Sequence, residues 1–172
     1  MDKVKKWRYE KTISFLSKHC PKPQNILDLG VENELSKQMT KCGYNVTNTR
    51  GENLDLDFNS IKNSSANIVT AFEIFEHMLA PFNILREIKT KKLIASIPLK
   101  LWFANAYWNE TDDFDKHYHE FEIKQFNFLL KKTGWRIIDS EKWIPPVQRK
   151  IGLRTLLRMF TFRYYIVYCE KI

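Results

Sequence analysis

Residues 25–30 read Asn-Ile-Leu-Asp-Leu-Gly, a short apolar stretch that ends in a carboxylate and a glycine. The pattern predicts a buried strand, followed by a helix over residues 34–41. In an open α/β sheet, such a strand end meets the next helix at a crevice where glycine lets the backbone approach a ligand. The stretch is therefore a partial signature of a nucleotide site around Asp28 and Gly30, although a lone Asp-x-Gly is also typical of a simple turn.

Length and composition favour a single globular domain over residues 1–172. The chain is 44% hydrophobic and 14% aromatic, which is too apolar for a disordered protein. Its longest apolar runs fall short of the ~20 residues that a membrane-spanning helix needs, and its charged start is not a signal-peptide pattern. We therefore expect a cytoplasmic protein. Cys20, Cys42 and Cys169 are widely spaced, so we expect reduced thiols rather than disulfides or a zinc site.

Strand and helix patterns alternate along the chain. Besides the first strand, strands are predicted over residues 44–49, 67–72, 92–97, 135–141 and 164–170, and a short one is possible in the loop 50–58. Helices are predicted over residues 4–19, 34–41, 81–89 and 120–132. This alternation and spacing indicate βαβ units and a parallel sheet.

The net charge of +8 is concentrated late in the chain. Apolar residues at near-helical spacing, with arginines between them, predict a cationic amphipathic helix within residues 143–162. Such a helix would lie on an anionic membrane surface or receive a phosphorylated, lipid-linked or glycan substrate. The alternative is a cover helix whose apolar face packs on the domain. Nucleic acid is not favoured as a partner, because the aromatic residues cluster in the acidic stretch 101–115. That stretch is long enough to predict a functional loop or lid.

Taken in order, these motifs resemble those of a known protein family. The stretches that carry the resemblance are Ile26–Gly30, Asn67–His77, Pro81–Glu87, Ile94–Pro98 and His119–Trp135. They are similar to the class I S-adenosylmethionine-dependent methyltransferases, specifically the group with a strand-end D-x-G motif and an E-x-x-E-H stretch after the fourth strand. The resemblance implies an α/β, Rossmann-like, doubly wound fold. Its mostly parallel seven-stranded sheet would have an antiparallel last strand and helices on both faces.

The resemblance also implies S-adenosylmethionine as the cofactor. Gly30 would meet the amino-acid portion and ribose, Glu52 would bind the ribose hydroxyls, and Asp55 or its neighbour Asp57 would accept a hydrogen bond from the adenine amine. For these two aspartates the alternative is a solvated turn. The other implied cofactor contacts are Asp28, Ala71, Phe72, Glu73 and His77.

Histidines supply the candidates for proton transfer. His117 or His119 would act as a general base that deprotonates a substrate hydroxyl or amine near neutral pH. The alternative is that both hydrogen-bond to backbone and that His77 only orients a helix. As a metal pair, His117 and His119 have no third or fourth ligand at a suggestive spacing, so the sequence predicts no metal site.

The implied function is methyl transfer to a small molecule or to a cell-surface glycan or lipid precursor. Glu32 and Glu34 stand where the family has its second and third glycines. If these carboxylates point away from the crevice, the cofactor fits. If they point into it, the chain is instead a catalytically inactive methyltransferase-fold module for binding or scaffolding. A nucleotide-binding domain for another ligand is a third possibility, since fold does not fix function.

Overall fold

A computed structural model describes residues 2–146 and 152–172. The strands are β1 (Asn25–Asp28), β2 (Asn45–Asn48), β3 (Ile68–Phe72), β4 (Lys92–Pro98), β5 (Trp135–Trp143) and β6 (Tyr164–Lys171). The α-helices are α1 (Lys3–His19), α2 (Glu34–Lys41), α3 (Asn59–Lys62), α4 (Pro81–Glu87), α5 (Ile123–Lys132) and α6 (Leu153–Met159). Short 3₁₀ turns cover Phe75–His77 and Asp113–Asp115.

The six strands form one sheet in the order β2-β1-β3-β4-β6-β5. The first four are parallel to one another, and β6 runs antiparallel to both β4 and β5. The prediction of a mostly parallel sheet with an antiparallel last strand is therefore confirmed. In the described residues, no helix has the length and apolar character needed to cross a membrane.

The sheet has six strands rather than the seven that the resemblance implied, because residues 50–58 do not form a described strand. The Asn53 side chain accepts a hydrogen bond from the Asp55 amide (3.0 Å), and the Asn53 carbonyl accepts bonds from Leu56 and Asp57. Asparagine and aspartate side chains offer the backbone local partners that compete with a sheet ladder. A strand would place Leu54, Leu56 and Phe58 on the same face, yet Leu54 and Phe58 pack against the hydrophobic core while Leu56 is 79% exposed.

Helices cover both faces of the sheet, as predicted. Alternate strand residues point to opposite faces. On one face Ile26, Ile68, Ile94 and Ile166 pack with Phe15 and Leu16 of α1 and Met39 of α2. On the other face Leu27, Val69, Leu93 and Val167 pack with Ile84 and Leu85 of α4 and Phe126 and Leu130 of α5. The sheet is thus a rigid platform that fixes where its strands end.

The predicted cationic helix is present only in part. Its described portion is α6, which has seven residues, and Val147 to Ile151 lie outside the described residues. No residue of α6 is buried. Leu153, Leu156 and Met159 are exposed while Leu157 is half-buried, so the described part of the helix covers the domain with only a small part of its apolar surface.

Candidate functional site

The strand order creates a crevice at the carboxyl ends of β1 and β3. From β1 the chain passes to β2 on one side and then to β3 on the other side. At such a switch point the connections leave in opposite directions, which opens a ligand-sized gap outside the strand ends. Gly30 and Glu73 come just after β1 and β3 and therefore lie at this switch point.

Asp28 ends β1 but is only 2% exposed. Its register places it beside Asn48 of β2 and Thr70 of β3. The Thr70 hydroxyl donates to Asp28 Oδ1 (2.6 Å), and the Asn48 amide donates to Asp28 Oδ2 (3.2 Å). Burial raises the pKa of Asp28 to about 7, against the opposing effect of these two hydrogen bonds. Asp28 therefore ties three strands together immediately beneath the crevice.

Gly30 makes the turn out of β1 with a φ of +101°, a region that side-chain-bearing residues rarely adopt. Its amide donates to the Thr49 hydroxyl (2.8 Å). A Cβ atom at this position would lie 3.1 Å from Ile74 Cδ1, so the turn fits closely against the segment after β3. The backbone at the end of β1 is thus held open to a ligand by the absence of a side chain.

Glu32 and Glu34 do not fill the crevice. Both side chains are exposed, and the Glu32 carboxylate lies 3.3 Å from Lys37 Nζ on α2. The Asn33 side chain caps α2 by accepting from the amides of Leu35 (2.8 Å) and Ser36 (3.2 Å). A capping box therefore replaces the glycine-rich turn at this helix start.

The acidic residues after β2 are both engaged by neighbouring groups. The half-buried Glu52 accepts from the Arg50 amide (2.6 Å) and from the Ser60 hydroxyl. These hydrogen bonds outweigh partial desolvation and lower the pKa of Glu52, so it is a carboxylate at neutral pH. The two oxygens of Asp55 accept from the amides of Leu79 (2.9 Å) and Ala80 (2.7 Å), immediately before α4.

Glu73 follows β3 with a φ of +57°, the one described non-glycine residue with a positive φ. Ala71 is fully buried in β3, and Phe72 is half-buried at its end. Arg8 of α1 lies 2.8 Å from Glu73 Oε2, and the Ser96 hydroxyl donates to Glu73 Oε1 (3.0 Å). A strained backbone of this kind persists only where surrounding contacts hold it, and such residues cluster at functional sites.

The E-x-x-E-H stretch brings a second acid and a histidine toward the segment after the aromatic loop. The Glu76 carbonyl accepts from the Tyr118 amide (2.8 Å). The Glu76 side chain is 1% exposed, and burial together with the nearby Glu73 raises its pKa well above the usual range. Desolvation and the neighbouring His117 lower the pKa of His77.

The two predicted catalytic histidines occupy different environments. His117 stacks edge-on against His77, with ring centroids 4.9 Å apart, and its Nδ1 lies 3.0 Å from Glu120 Oε1. His119 instead stacks on Phe121, and its Nε2 lies 3.3 Å from the Leu79 carbonyl oxygen. The structure therefore joins His117 to His77 and separates it from His119.

A cavity of about 320 Å³ lies where α1, α6 and the start of β6 meet. Its lining includes Arg158, Arg163 and Tyr164. Arg8 connects this cavity with the crevice, because its guanidinium binds Glu73 and lies 5.2 Å from the centre of the Tyr164 ring. A cavity lined by two arginines and one acid, Asp2, thus lies close to the strand ends.

Comparisons with known proteins agree with this architecture. No protein-family model matches the chain, and no curated protein matches it in sequence. A methyltransferase from Archaeoglobus fulgidus, dependent on S-adenosylmethionine, matches with a TM-score of 0.58 at 14% identity, covering 95% of this chain and 94% of its own. A Burkholderia thailandensis 1,6-didemethyltoxoflavin-N1-methyltransferase, solved with S-adenosylhomocysteine, matches with a TM-score of 0.61 at 15% identity over 95% and 77% of the two chains. The chain has the class I methyltransferase fold.

This methyltransferase fold also occurs in a protein named for different chemistry. The (4+2)-cyclase SpnF matches with a TM-score of 0.64 at 11% identity, covering 94% of this chain and 81% of its own. Fold alone therefore does not fix the reaction, which has to be argued from the site.

Several residues of the methyltransferase-fold site were not identified from the sequence. Arg8 lies in a helix predicted only to pack on the sheet, and Asn48, Thr70 and Ser96 are strand residues with no distinctive pattern. Their roles depend on register between distant segments. No signal in the sequence singles out Arg8, because the same helix also carries several lysines.

Proposed function

We propose that this chain transfers a methyl group from S-adenosylmethionine to a small-molecule acceptor. The observation that carries the proposal is the crevice at the switch point, where the Gly30 turn and the strained Glu73 flank the ends of β1 and β3. The exposure of Glu32 and Glu34 supports it further, because these carboxylates leave the turn after β1 open.

The residues around the crevice fit this cofactor. The backbone at Gly30 would meet the amino-acid portion and ribose, and ionised Glu52 would accept from the ribose hydroxyls. The hydrogen bonds that Glu52 already accepts leave it with free lone pairs. Asp55 likewise has free lone pairs, with which it would accept a hydrogen bond from the adenine amine. Glu73, with Ala71 and Phe72 before it, would lie beside the positively charged sulfur of the cofactor. Asp28, beneath the crevice, and His77, beside it, would also contribute to cofactor binding.

The bound cofactor would supply an electrophilic methyl group, and few side chains need to take part in the transfer. The chain's main tasks are to align the acceptor and to exclude water. The cavity next to Arg8 would receive the acceptor. Arg158 and Arg163 in its lining outnumber its one acid, Asp2, which favours an acceptor that carries a negative charge. A small anionic metabolite and a glycan or lipid precursor with a phosphate or carboxylate both meet this description.

The general-base role of His117 or His119 remains a prediction. The Leu79 carbonyl can only accept, so Nε2 of a neutral His119 donates to it and Nδ1 remains able to accept a proton. His117 donates Nδ1–H to Glu120 in the same way, which leaves its Nε2 free.

We also propose peripheral contact with an anionic membrane through the 143–162 segment. In its described part, Leu153, Leu156 and Phe160 are 73%, 53% and 77% exposed, beside the exposed Arg154 and Arg158. Exposed apolar groups interleaved with arginines match the chemistry of an anionic lipid surface.

Calorimetric titration with S-adenosylhomocysteine tests the cofactor site. We expect saturable binding in the micromolar range, and at least tenfold weaker binding by Gly30→Ala, because the new Cβ would crowd Ile74 in the crevice. Gly134→Ala is the matched control. It has a similar φ of +85° and no atom within 4 Å of the new Cβ, so it carries the backbone cost without touching the crevice.

Equal affinity of both variants would remove the Gly30 turn from the site. Absence of binding by the wild type at millimolar ligand would overturn the enzyme proposal. That result would favour the alternative, a catalytically inactive methyltransferase-fold module for binding or scaffolding.

A further inference from the structure

Glu76, His77 and His117 form a cluster with the composition of a metal site. One possible ligand atom from each residue lies within 4.8 Å of the other two. The Nε2 atom of His77 lies 3.8 Å from Glu76 Oε1. Two imidazoles and one carboxylate are a common ligand set for divalent transition-metal ions.

The Glu76 carboxylate provides an independent indication of a missing partner. Its Oε2 atom is buried and, among the described residues, is the only buried side-chain oxygen or nitrogen without a hydrogen-bond partner. A buried carboxylate oxygen without a partner is costly, and native proteins usually satisfy such atoms. A bound cation would satisfy it.

Both histidines are held as metal-binding histidines usually are. Nδ1 of His77 lies 3.1 Å from the Lys116 carbonyl oxygen, and Nδ1 of His117 lies 3.0 Å from Glu120 Oε1. Because these oxygens accept, each neutral ring carries its proton on Nδ1 and keeps the Nε2 lone pair free. This arrangement fixes the tautomer and ring orientation of a ligand histidine and makes its free nitrogen more basic.

We propose that Glu76, His77 and His117 bind a divalent transition-metal ion, with Zn²⁺ or Mn²⁺ as the expected occupants. Three protein ligands leave at least one coordination position for water or for an oxygen of another ligand. The cluster needs only small side-chain movements, since its ligand atoms already lie close together. The proposal does not depend on the methyl-transfer proposal, because metal binding is measured without cofactor or acceptor.

Chelator-treated protein titrated with ZnCl₂, MnCl₂ and MgCl₂ tests the site by calorimetry and by the melting temperature. We expect saturable 1:1 binding of Zn²⁺ or Mn²⁺ with a rise in melting temperature, since a ligand specific to the native state stabilises it. His117→Asn should weaken binding at least tenfold. His119→Asn is the matched control two residues away and should bind as the wild type does.

Glu76→Gln gives a second readout that a merely structural role would not produce. Replacing this unsatisfied buried carboxyl group should leave the metal-free protein about as stable as the wild type, while abolishing the rise in melting temperature on adding metal. A Co²⁺ spectrum gives a further check, because a four-coordinate site with these ligands produces visible absorption bands that His117→Asn should reduce. The proposal is overturned if the wild type shows no saturable binding at millimolar metal. It is equally overturned if Glu76→Gln and His117→Asn both bind as the wild type does.

Discussion

The carboxyl group of Asp28 is enclosed by its own sheet. Because burial raises its pKa to about 7, the native state keeps its proton up to about that pH, whereas the unfolded chain releases it near pH 4. Between these values the native state binds more protons, so the free energy of unfolding falls as pH rises. The loss from this group between about pH 5 and pH 8 is on the order of 2–3 kcal/mol.

Asp28→Asn should remove this dependence while keeping the size of the side chain. We expect the variant to lose less stability than the wild type between pH 5 and pH 8, by about that amount. Urea unfolding of both proteins at the two pH values measures the difference. If the two proteins lost equal stability over this range, Asp28 would not be a group that titrates between these pH values.

The partners of Asp28 show why residue-level contacts escape sequence analysis. The apolar run before Asp28 predicted that it ends a strand, and the structure places it there. Its contacts with Thr70 and Asn48 join residues 42 and 20 positions away and depend on strand register, which no local pattern encodes.

At the scale of elements, the capping box of α2 replaces the glycines of the resembled motif. Asn33→Ala would leave the amides of Leu35 and Ser36 without their acceptor, so it should lower the free energy of unfolding by about 1 kcal/mol. Glu32→Ala on the same turn removes only an exposed ion pair and should change it by less than about 0.5 kcal/mol. Denaturant unfolding of both variants compares them, and equal losses would contradict the capping role.

Asp55 links the loop after β2 to the start of α4. Asp55→Ala should cost about 1–2 kcal/mol of stability, because the Leu79 and Ala80 amides lose a charged acceptor. Asp55→Asn keeps one carbonyl oxygen and should cost less. Thermal unfolding measures both, and an unchanged melting temperature in Asp55→Ala would show that water replaces the carboxylate without cost.

The same loop explains why the predicted seventh strand is absent. Aspartates and an asparagine at alternating positions look compatible with a strand that is exposed on one face. In the structure their side chains bond to nearby amides and to the start of α4 instead. Periodicity cannot distinguish these outcomes when the polar residues are also turn formers.

At the scale of the whole molecule, the exposed apolar residues of α6 predict a measurable affinity for lipid. We expect the protein to sediment with vesicles that contain phosphatidylserine and not with pure phosphatidylcholine, and to dissociate as salt screens the arginines. Leu153→Glu with Phe160→Glu should reduce binding severalfold. Ile138→Glu, on the exposed face of β5, is the control with a similarly accessible apolar side chain. Equal binding to both vesicle types would contradict the proposal.

The overall architecture was more accessible to sequence analysis than the site was. Apolar runs and alternation predicted the parallel sheet and the helices on both faces, because these features repeat along the chain. The Glu76, His77 and His117 cluster depends on one long-range packing event, in which the 117–119 segment hydrogen-bonds to the Glu76 carbonyl. The sequence suggested His117 and His119 as the one conceivable metal pair, whereas folding brings the His117 ring against His77.

The central claim is that the crevice between the ends of β1 and β3 binds S-adenosylmethionine. Amide NMR spectra of the ¹⁵N-labelled protein, recorded during titration with S-adenosylhomocysteine, test both the binding and its place. We predict saturable shifts of the amides of Gly30, Glu52 and Glu73, with little change at Gly134. An absence of shifts at millimolar ligand, or shifts confined to residues away from these strand ends, would contradict the account.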